Sequence, residues 1–235
     1  MADALAAIRA DLIACSRCPA LRRYCGQVAR VKRRAYRDQT YWGRPVPGFG
    51  DSNAQLLIIG LAPAAHGGNR TGRVFTGDRS GDFLFAALHR AGFANQPMSI
   101  HRDDGLRLNG AYITAVLHCA PPANKPKPIE LNRCRDFLVR ELRVLTRVKA
   151  VLALGKIAFD EYLRTLTIME RLASRRGLAF RHGAAYPLGD GLPTLFAAYH
   201  PSQQNTQTGR LTASMFDRVL TEIKSGLGIS EERAG

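Results

Sequence analysis

The chain has 235 residues, of which 34 are Lys or Arg and 19 are Asp or Glu, so its formal net charge is +15. A hydrophobic fraction of 46 % and a charged fraction of 23 % exclude a disordered tail, a collagen-like chain and a low-complexity polymer. We expect one domain over residues 1–235, because a chain of this length buries a sufficient core without disulfide bonds. No apolar stretch approaches the roughly 20 residues of a membrane span.

The first fifteen residues predict a cytoplasmic protein. They contain Asp3 and Asp11 and lack the basic region followed by an apolar one that a secretory signal needs. Thiols stay reduced in the cytoplasm, so the five cysteines are expected to be metal ligands or core residues rather than disulfide partners.

The excess of positive charge predicts a polyanionic partner, because each Lys or Arg that contacts a phosphate releases a condensed counterion. Eight cationic residues and no acidic one lie from Leu12 to Arg37. Nucleic acid is the leading partner, and a solvated basic face without a specific role is the alternative. Binding to a membrane surface is not expected, since this basic run lacks an apolar stripe at helical spacing.

Apolar periodicity predicts alternating helices and strands. A first helix is indicated by Leu5, Ile8, Leu12 and Ile13 and ends near Cys15. Four apolar runs too short for helices are predicted strands: Gln55–Ile59, Tyr112–Leu117, Ala150–Leu154 and Thr194–Tyr199. Helices are predicted between and after them: Asp82–Ala91, Leu131–Leu145, Ile157–Leu166 and Thr212–Leu227. The pattern predicts an α/β fold in three α/β/α layers, with a mainly parallel four-stranded sheet in the centre.

The loops that follow the four strands form the candidate site. Their sequences are GLAPAAHGGNRTGRVFTGD from Gly60, HCAPPANKP from His118, GKIAF from Gly155 and HPSQQNTQTGR from His200. The carboxyl ends of parallel strands lie at one edge of the sheet, where open α/β sheets bind their ligands. We therefore expect the first loop, Asn124 and His200 to converge on one cleft.

Four of the cysteines are candidate metal ligands, although the gap between the first two and the last two differs from ordinary zinc-ribbon spacing. Cys15 and Cys18 form a C-x2-C pair, and Cys119 and Cys134 add two thiols after the second strand and in the helix that follows. Four thiolates bind either zinc or an iron–sulfur cluster, and buried core thiols are the alternative. Cys25 is expected to be a free thiol rather than a ligand.

Each polar or aromatic candidate in the loops also has a structural interpretation. Asp78 stands just before a predicted helix and is a candidate N-cap. Phe75 is a candidate core aromatic, His200 a candidate buried histidine and Asn124 a candidate turn former. The glycines of the first loop let a ligand approach the backbone closely, but no Gly-Lys-Ser/Thr follows them, so this is not a Walker loop.

The ordered motifs resemble the uracil-DNA glycosylase superfamily, most closely its iron–sulfur family 5. They are GLAPAAHGGNRTGRVFTGDRSG, HCAPPANKP, HPSQQNTQTGR and the four separated cysteines, and the similarity extends from Cys15 to about Leu220. The resemblance implies a compact α/β/α fold, a [4Fe–4S] cluster, and excision from DNA of uracil and of bases such as hypoxanthine and ethenocytosine. It implies an N-terminal basic and cluster-binding segment over residues 1–53, Cys25 outside the ligand set, and the ligands Cys15, Cys18, Cys119 and Cys134.

One departure from the superfamily pattern determines the mechanism that we expect. Other families carry an acid or amide after the first strand, where this sequence has Leu61 and Ala62, neither of which can act on a proton. The polar groups available at the same edge are Asp78, Asn124 and His200, with Asn69 as a weaker candidate. We expect Asp78 to stabilise the sugar cation or orient the water, Asn124 to share its polar contacts, and His200 to donate a hydrogen bond to the departing base. The implied substrate-binding residues are Gly60, Ala62, Phe75 and Asn69, with the ring of Phe75 stacked on the flipped base.

The expected partner is DNA, single- or double-stranded, and the expected state is a monomer in the cytoplasm, associated with the nucleoid. Two alternatives stay open. Leu61 and Ala62 favour a non-catalytic iron–sulfur protein that only binds DNA. The second alternative is a different hydrolase, with Cys25 or Cys119 as nucleophile beside His200.

Overall fold

A six-stranded sheet in the order β1-β3-β2-β4-β6-β5 lies at the centre of the molecule. The structure is a computed structural model and describes residues 1–189 and 191–229. The strands are β1 Phe49–Gly50, β2 Leu56–Gly60, β3 Ala111–Ala115, β4 Ala150–Leu154, β5 Ala185–Tyr186 and β6 Thr194–Ala198. The predicted parallel sheet is confirmed for β3, β2, β4 and β6. The predicted number of four strands is wrong, because β1 and β5 add short antiparallel edges that are too brief to leave an apolar pattern.

Helices lie on both faces of this sheet. Those of the described residues are α1 Ala2–Ala14, α2 Pro19–Val31, α3 Gly68–Thr71, α4 Arg79–Arg90, α5 Pro128–Val144, α6 Lys156–Ile168, α7 Gln203–Gln207 and α8 Ala213–Gly226. The five predicted helices are confirmed as α1, α4, α5, α6 and α8. The helices α3 and α7 are single turns, which are too short to show a period of 3.6 residues.

The sheet separates two apolar layers, which confirms the three-layer architecture. Leu56 and Ile58 of β2 belong to the layer that α4 and α8 complete, whereas Leu57 and Ile59 belong to the layer of α5 and α6. A strand that is buried on both faces is a continuous apolar run. For that reason the four central strands could be predicted from the sequence.

The helix α2 contradicts the expectation that the basic run has no apolar stripe. Leu21 and Cys25 lie one turn apart and are buried, while Arg23 and Arg30 on the same helix are exposed. The stripe packs with Leu117, just beyond β3. The stripe is therefore buried against the rest of the protein, and it holds α2 beside the carboxyl end of the sheet.

The expectation of a single domain over residues 1–235 stays a prediction, and residue 190 and residues 230–235 of that range lie outside the described part. The N-terminal helix α1 joins the rest of the fold through Ile8 and Leu12, which pack against Phe137 of α5. Among the described residues, we find no helix whose length and apolar character would let it cross a bilayer.

Candidate active site

Two aromatic rings meet at the carboxyl edge of the sheet. Gly60 is the last residue of β2, and a Cβ atom built on it would lie 2.7 Å from the Cε2 atom of Phe75. The ring of Phe75 therefore lies directly on the Gly60 backbone. The imidazole of His200, which follows β6, lies 5.7 Å from the Phe75 ring centre at an interplanar angle of 31°. The expected convergence of the first and fourth loops is confirmed for these residues.

The backbone of the first loop is held in an uncommon conformation at Phe75. Its φ angle is +51°, in the left-handed region that bulky residues rarely adopt. The neighbouring Thr76 accepts a hydrogen bond from Arg73 Nε at 2.9 Å and shares one of 2.6 Å with the hydroxyl of Ser99. The buried contacts of Thr76 thus fix the backbone next to the ring, and the ring stays half-exposed at the cleft.

His200 is a neutral donor at physiological pH. Burial of its ring lowers the pKa to about 4. The carbonyl oxygen of His200 accepts hydrogen bonds from Asn205 Nδ2 and from the Ser202 backbone, each at 2.8 Å. Within residues 1–189 and 191–229, no protein group forms a hydrogen bond with the imidazole. The backbone is therefore anchored, and the N–H of the ring is available to a ligand.

Asp78 is the N-cap of α4, so the capping interpretation is confirmed. Its Oδ1 atom accepts a hydrogen bond from the backbone of Gly81 at 3.0 Å. Its Oδ2 atom lies against Gly67, where any Cβ atom would overlap it. Burial raises the pKa of this carboxyl. The cap uses one oxygen and leaves the second one beside the loop that follows β2.

Asn124 lies in an exposed turn after β3. Its φ angle is +56° and that of Ala123 is +53°, which matches the tolerance of asparagine for left-handed backbone. The turn-forming interpretation is therefore confirmed. Among residues 1–189 and 191–229, no hydrogen bond joins the side chain of Asn124 to His200.

Asn69 and Ala62 face α2 rather than this ring pair. The amide nitrogen of Asn69 donates to the carbonyl oxygens of Cys25 at 3.4 Å and Ala65 at 3.3 Å, and its side chain is buried. Ala62 packs with the apolar cluster that contains Leu21. A role for Asn69 and Ala62 in substrate binding stays a prediction.

Four cysteines line one small cavity between the start of α2, the end of β3 and α5. Three arginines and a histidine share its wall, and the polar lining is Cys15, Cys18, Cys119, Cys134, Arg17, Arg22, Arg133 and His118. The thiols are free rather than paired in disulfides. Burial raises the pKa of Cys134 to about 12. The N-terminal pair and the two later cysteines thus line the same cavity, which agrees with the set that the resemblance implies.

This cavity does not have the geometry of a single-ion site. In residues 1–189 and 191–229, no three His, Cys, Asp or Glu side chains are gathered closely enough to hold one metal ion. Cys25 lies outside the cavity lining. Its thiol donates to the Ala120 carbonyl oxygen at 3.5 Å and lies beside the thiol of Cys119 in the same buried cluster.

Comparison with known proteins identifies the family. The model of the uracil DNA glycosylase superfamily matches residues 47–224. The chain belongs to this superfamily. The Type-5 uracil-DNA glycosylase of Thermus thermophilus is 50 % identical over 93 % of this chain and 96 % of its own length. The Mycobacterium bovis protein of the same name is 49 % identical over 97 % of this chain and 84 % of its own length.

The similarity to Type-4 relatives is shorter. The Type-4 uracil-DNA glycosylase of Archaeoglobus fulgidus is 36 % identical over 48 % of this chain and 49 % of its own length. As a member of the superfamily, the chain is thus more similar to the Type-5 proteins along its length.

Two features of this glycosylase-family site were not predicted from the sequence. Gly81 is required because a Cβ atom there would overlap the Phe75 carbonyl oxygen. Arg73 and Asp104 form an ion pair of 2.7 Å, buried behind the Phe75 loop. The glycine after Asp78 in FTGDRSG is a sequence signal for the first feature. The second has no local signal, because its partners are 31 residues apart.

Proposed function

We propose that this protein is a monofunctional uracil-DNA glycosylase, which hydrolyses the N-glycosidic bond of uracil in DNA and leaves an abasic site. The observation that carries the proposal is the pair of rings, Phe75 on the Gly60 backbone and His200 beside it, at the carboxyl edge of the sheet. Membership of the superfamily and the names of the relatives support it.

The glycosidic bond is inaccessible inside a stacked duplex, so the enzyme flips the nucleotide into the cleft. An aromatic face stacks on any base, and the half-exposed ring of Phe75 supplies that face. Gly60 lets the ring lie close to the end of β2, which leaves the space in front of the ring for the base.

His200 acts on the departing base. As the bond to the sugar breaks, negative charge develops on the uracil oxygens and positive charge on the sugar. The neutral imidazole donates its N–H to the developing oxyanion, an interaction that is stronger in the transition state than in the ground state. The ring does not need to be protonated for this role.

Asp78 and Asn124 act on the sugar and the water. Leu61 and Ala62 offer no polar side chain, and the carboxylate of Asp78 has one oxygen that the helix cap does not use. We assign that oxygen to the sugar cation or to the attacking water. The exposed side-chain amide of Asn124 is assigned to the same sugar or water when DNA is bound.

The four cysteines that line one cavity are the proposed ligands of a [4Fe–4S] cluster. Four Cys thiolates are the ligand set of such a cluster, and these four would hold it. A thiolate-bound cluster is anionic, and Arg17, Arg22 and Arg133 in the cavity wall match that charge. The cluster would connect α1 and α2 to β3 and α5, which holds the basic N-terminal segment near the DNA.

We further propose that the protein acts on DNA as a monomer in the cytoplasm, associated with the nucleoid. The apolar positions Leu61 and Ala62 lack an amide that would discriminate between bases. This supports activity on hypoxanthine and ethenocytosine in addition to uracil.

The test uses a labelled oligonucleotide with one uracil, incubated with the protein and then treated with alkali. Strand breaks that appear only after alkali indicate a monofunctional glycosylase. A matched thymine oligonucleotide is the control, and oligonucleotides with hypoxanthine or ethenocytosine define the base range. Gel retardation of the uracil oligonucleotide without alkali-dependent breaks would instead identify a protein that only binds DNA.

A further inference from the structure

The edge strand β5 brings a second basic segment to the cleft. β5 runs antiparallel to β6, with Ala185 opposite Phe196. The residues before β5 therefore lie beside the end of β6, and the Tyr199 backbone donates a hydrogen bond to His182 Nδ1 at 3.1 Å. His182 and the exposed Arg181 are thus placed next to His200.

An aromatic stack fixes this arrangement. The rings of His182 and Tyr199 are parallel within 8°, with their centres 4.8 Å apart. The guanidinium of Arg210, from the loop after α7, lies 4.6 Å from the Tyr199 ring centre. Tyr199 therefore joins the segment before β5 to the loop that follows His200.

The hydrogen bond also defines what His182 presents to a ligand. Nδ1 accepts the backbone N–H of Tyr199, so the proton of a neutral ring is on Nε2. Burial, together with the nearby charge of Arg218, lowers the pKa of His182. The half-exposed ring thus offers one N–H donor. It lies next to the exposed Arg181 in the chain and stacks on the Tyr199 ring that Arg210 also contacts.

The surrounding sequence is strongly basic. Between Glu170 and Asp217 the one acidic residue is Asp190, whose position lies outside the described part. Exposed arginines of this region are Arg171, Arg175, Arg176, Arg181 and Arg210. Guanidinium groups bind phosphate oxygens in pairs of parallel hydrogen bonds, so a nucleic-acid backbone matches this surface.

We propose that Arg181, His182 and Arg210 form a phosphate-binding rim on the β6 side of the cleft, where they bind the DNA backbone next to the flipped nucleotide. The basic helix α2 lies at the β3 side of the same sheet edge. The two surfaces flank the ring pair, and a DNA strand that contacts both crosses the cleft. This inference rests on the proposed function, since it assigns a second part of the same DNA-binding surface.

The test measures the affinity for a fluorescent duplex without uracil at several salt concentrations. Each lost phosphate contact reduces the log–log salt slope by about 0.9. The double variant R181A/R210A is expected to lower the slope by about 1.8, because both guanidinium groups contact phosphates. The matched control is R143A/R147A, which removes two exposed arginines near the opposite, amino end of β4 and leaves the slope unchanged.

The outcomes separate this rim from the glycosylase activity. A wild-type slope in R181A/R210A, or an equal loss in the control, would overturn the rim, whatever the enzyme does to uracil. A smaller slope in R181A/R210A alone supports the rim even if no uracil is excised, because the duplex carries none. Melting temperatures of the variants show that each one is folded during the titration.

Discussion

The fold already uses part of the Asp78 carboxylate, but it does not use the imidazole of His200. The backbone of His200 is anchored by Asn205 and Ser202, and its ring is left for a ligand. One oxygen of Asp78 caps α4, and the other lies on Gly67. A substitution of His200 therefore tests chemistry directly, whereas a substitution of Asp78 must separate chemistry from capping.

The variant H200A is expected to excise uracil about 10²–10³-fold more slowly in single turnover, the usual cost of one oxyanion donor. Its affinity for uracil-free duplex should stay at the wild-type value, since the ring acts on a charge that develops only in the reaction. Because burial lowers the pKa of His200 to about 4, the wild-type rate should show no titration near pH 6.5. A rate in H200A equal to that of the wild type would remove the histidine from the mechanism.

Asp78 is tested with D78N, because asparagine caps a helix as well as aspartate does but carries no charge. Excision by D78N should be slow while its melting temperature stays close to that of the wild type. The wild-type rate should fall as the pH drops through the raised pKa of Asp78, because the ionised form is the active one. This acid limb should be missing in D78N. If D78N excises uracil normally and D78A is merely less stable, the carboxylate is only a cap.

At the scale of elements, the central strands were predictable and the edges were not. A five-residue strand buried on both faces leaves a continuous apolar run, which identified β2, β3, β4 and β6. The strands β1 and β5 are two residues long and form only by pairing with β3 and β6, so no local sequence pattern predicts them. The same limit applies to α2, whose short buried stripe is hidden among arginines.

The candidate site, like the fold, could be predicted only in part. The motifs predicted that Gly60, Phe75 and His200 meet, because parallel strands present their following loops at one edge. They did not predict that Asn69 turns toward α2, since that contact depends on where α2 packs. The Arg73–Asp104 pair, between residues far apart in the chain, could not be predicted either.

This ion pair supports the loop that carries Phe75 and Asp78. Arg73 Nη2 contacts both oxygens of Asp104 at 2.7–2.8 Å, and Arg73 Nε contacts Thr76 at 2.9 Å. The variant D104N leaves a buried guanidinium without its counter-charge, which costs about 3–5 kcal/mol of stability. We expect D104N to excise uracil more slowly at a temperature where it is still folded.

The matched control is E161Q, which breaks the comparably buried Arg135–Glu161 pair between α5 and α6. E161Q should lose stability and retain the excision rate per folded molecule. Equal rates in the two variants would show that the Arg73–Asp104 pair only stabilises the fold.

For the whole molecule, the cysteine cavity connects the N-terminal helices to the sheet and its helix α5. Protein purified anaerobically should be brown and contain about four irons per chain, as a complete [4Fe–4S] ligand set requires. C119A is expected to lose both iron and solubility. C25A should keep the iron, since Cys25 lies outside the cavity lining. Stoichiometric zinc in place of iron, or equal loss of iron in both variants, would contradict the ligand assignment.

In the proposed function, the cleft at the carboxyl edge of the sheet releases uracil from DNA. The most direct measurement is the amount of free uracil released in single turnover by the wild type and by the double variant D78N/H200A, which keeps the helix cap. We predict one uracil per substrate site from the wild type, with the strand intact until alkali is added, and release slowed by at least about 10²-fold in the double variant. Equal release by both proteins would show that Asp78 and His200 do not carry the reaction, and no release by the iron-loaded wild type would show that the protein is not a uracil-DNA glycosylase.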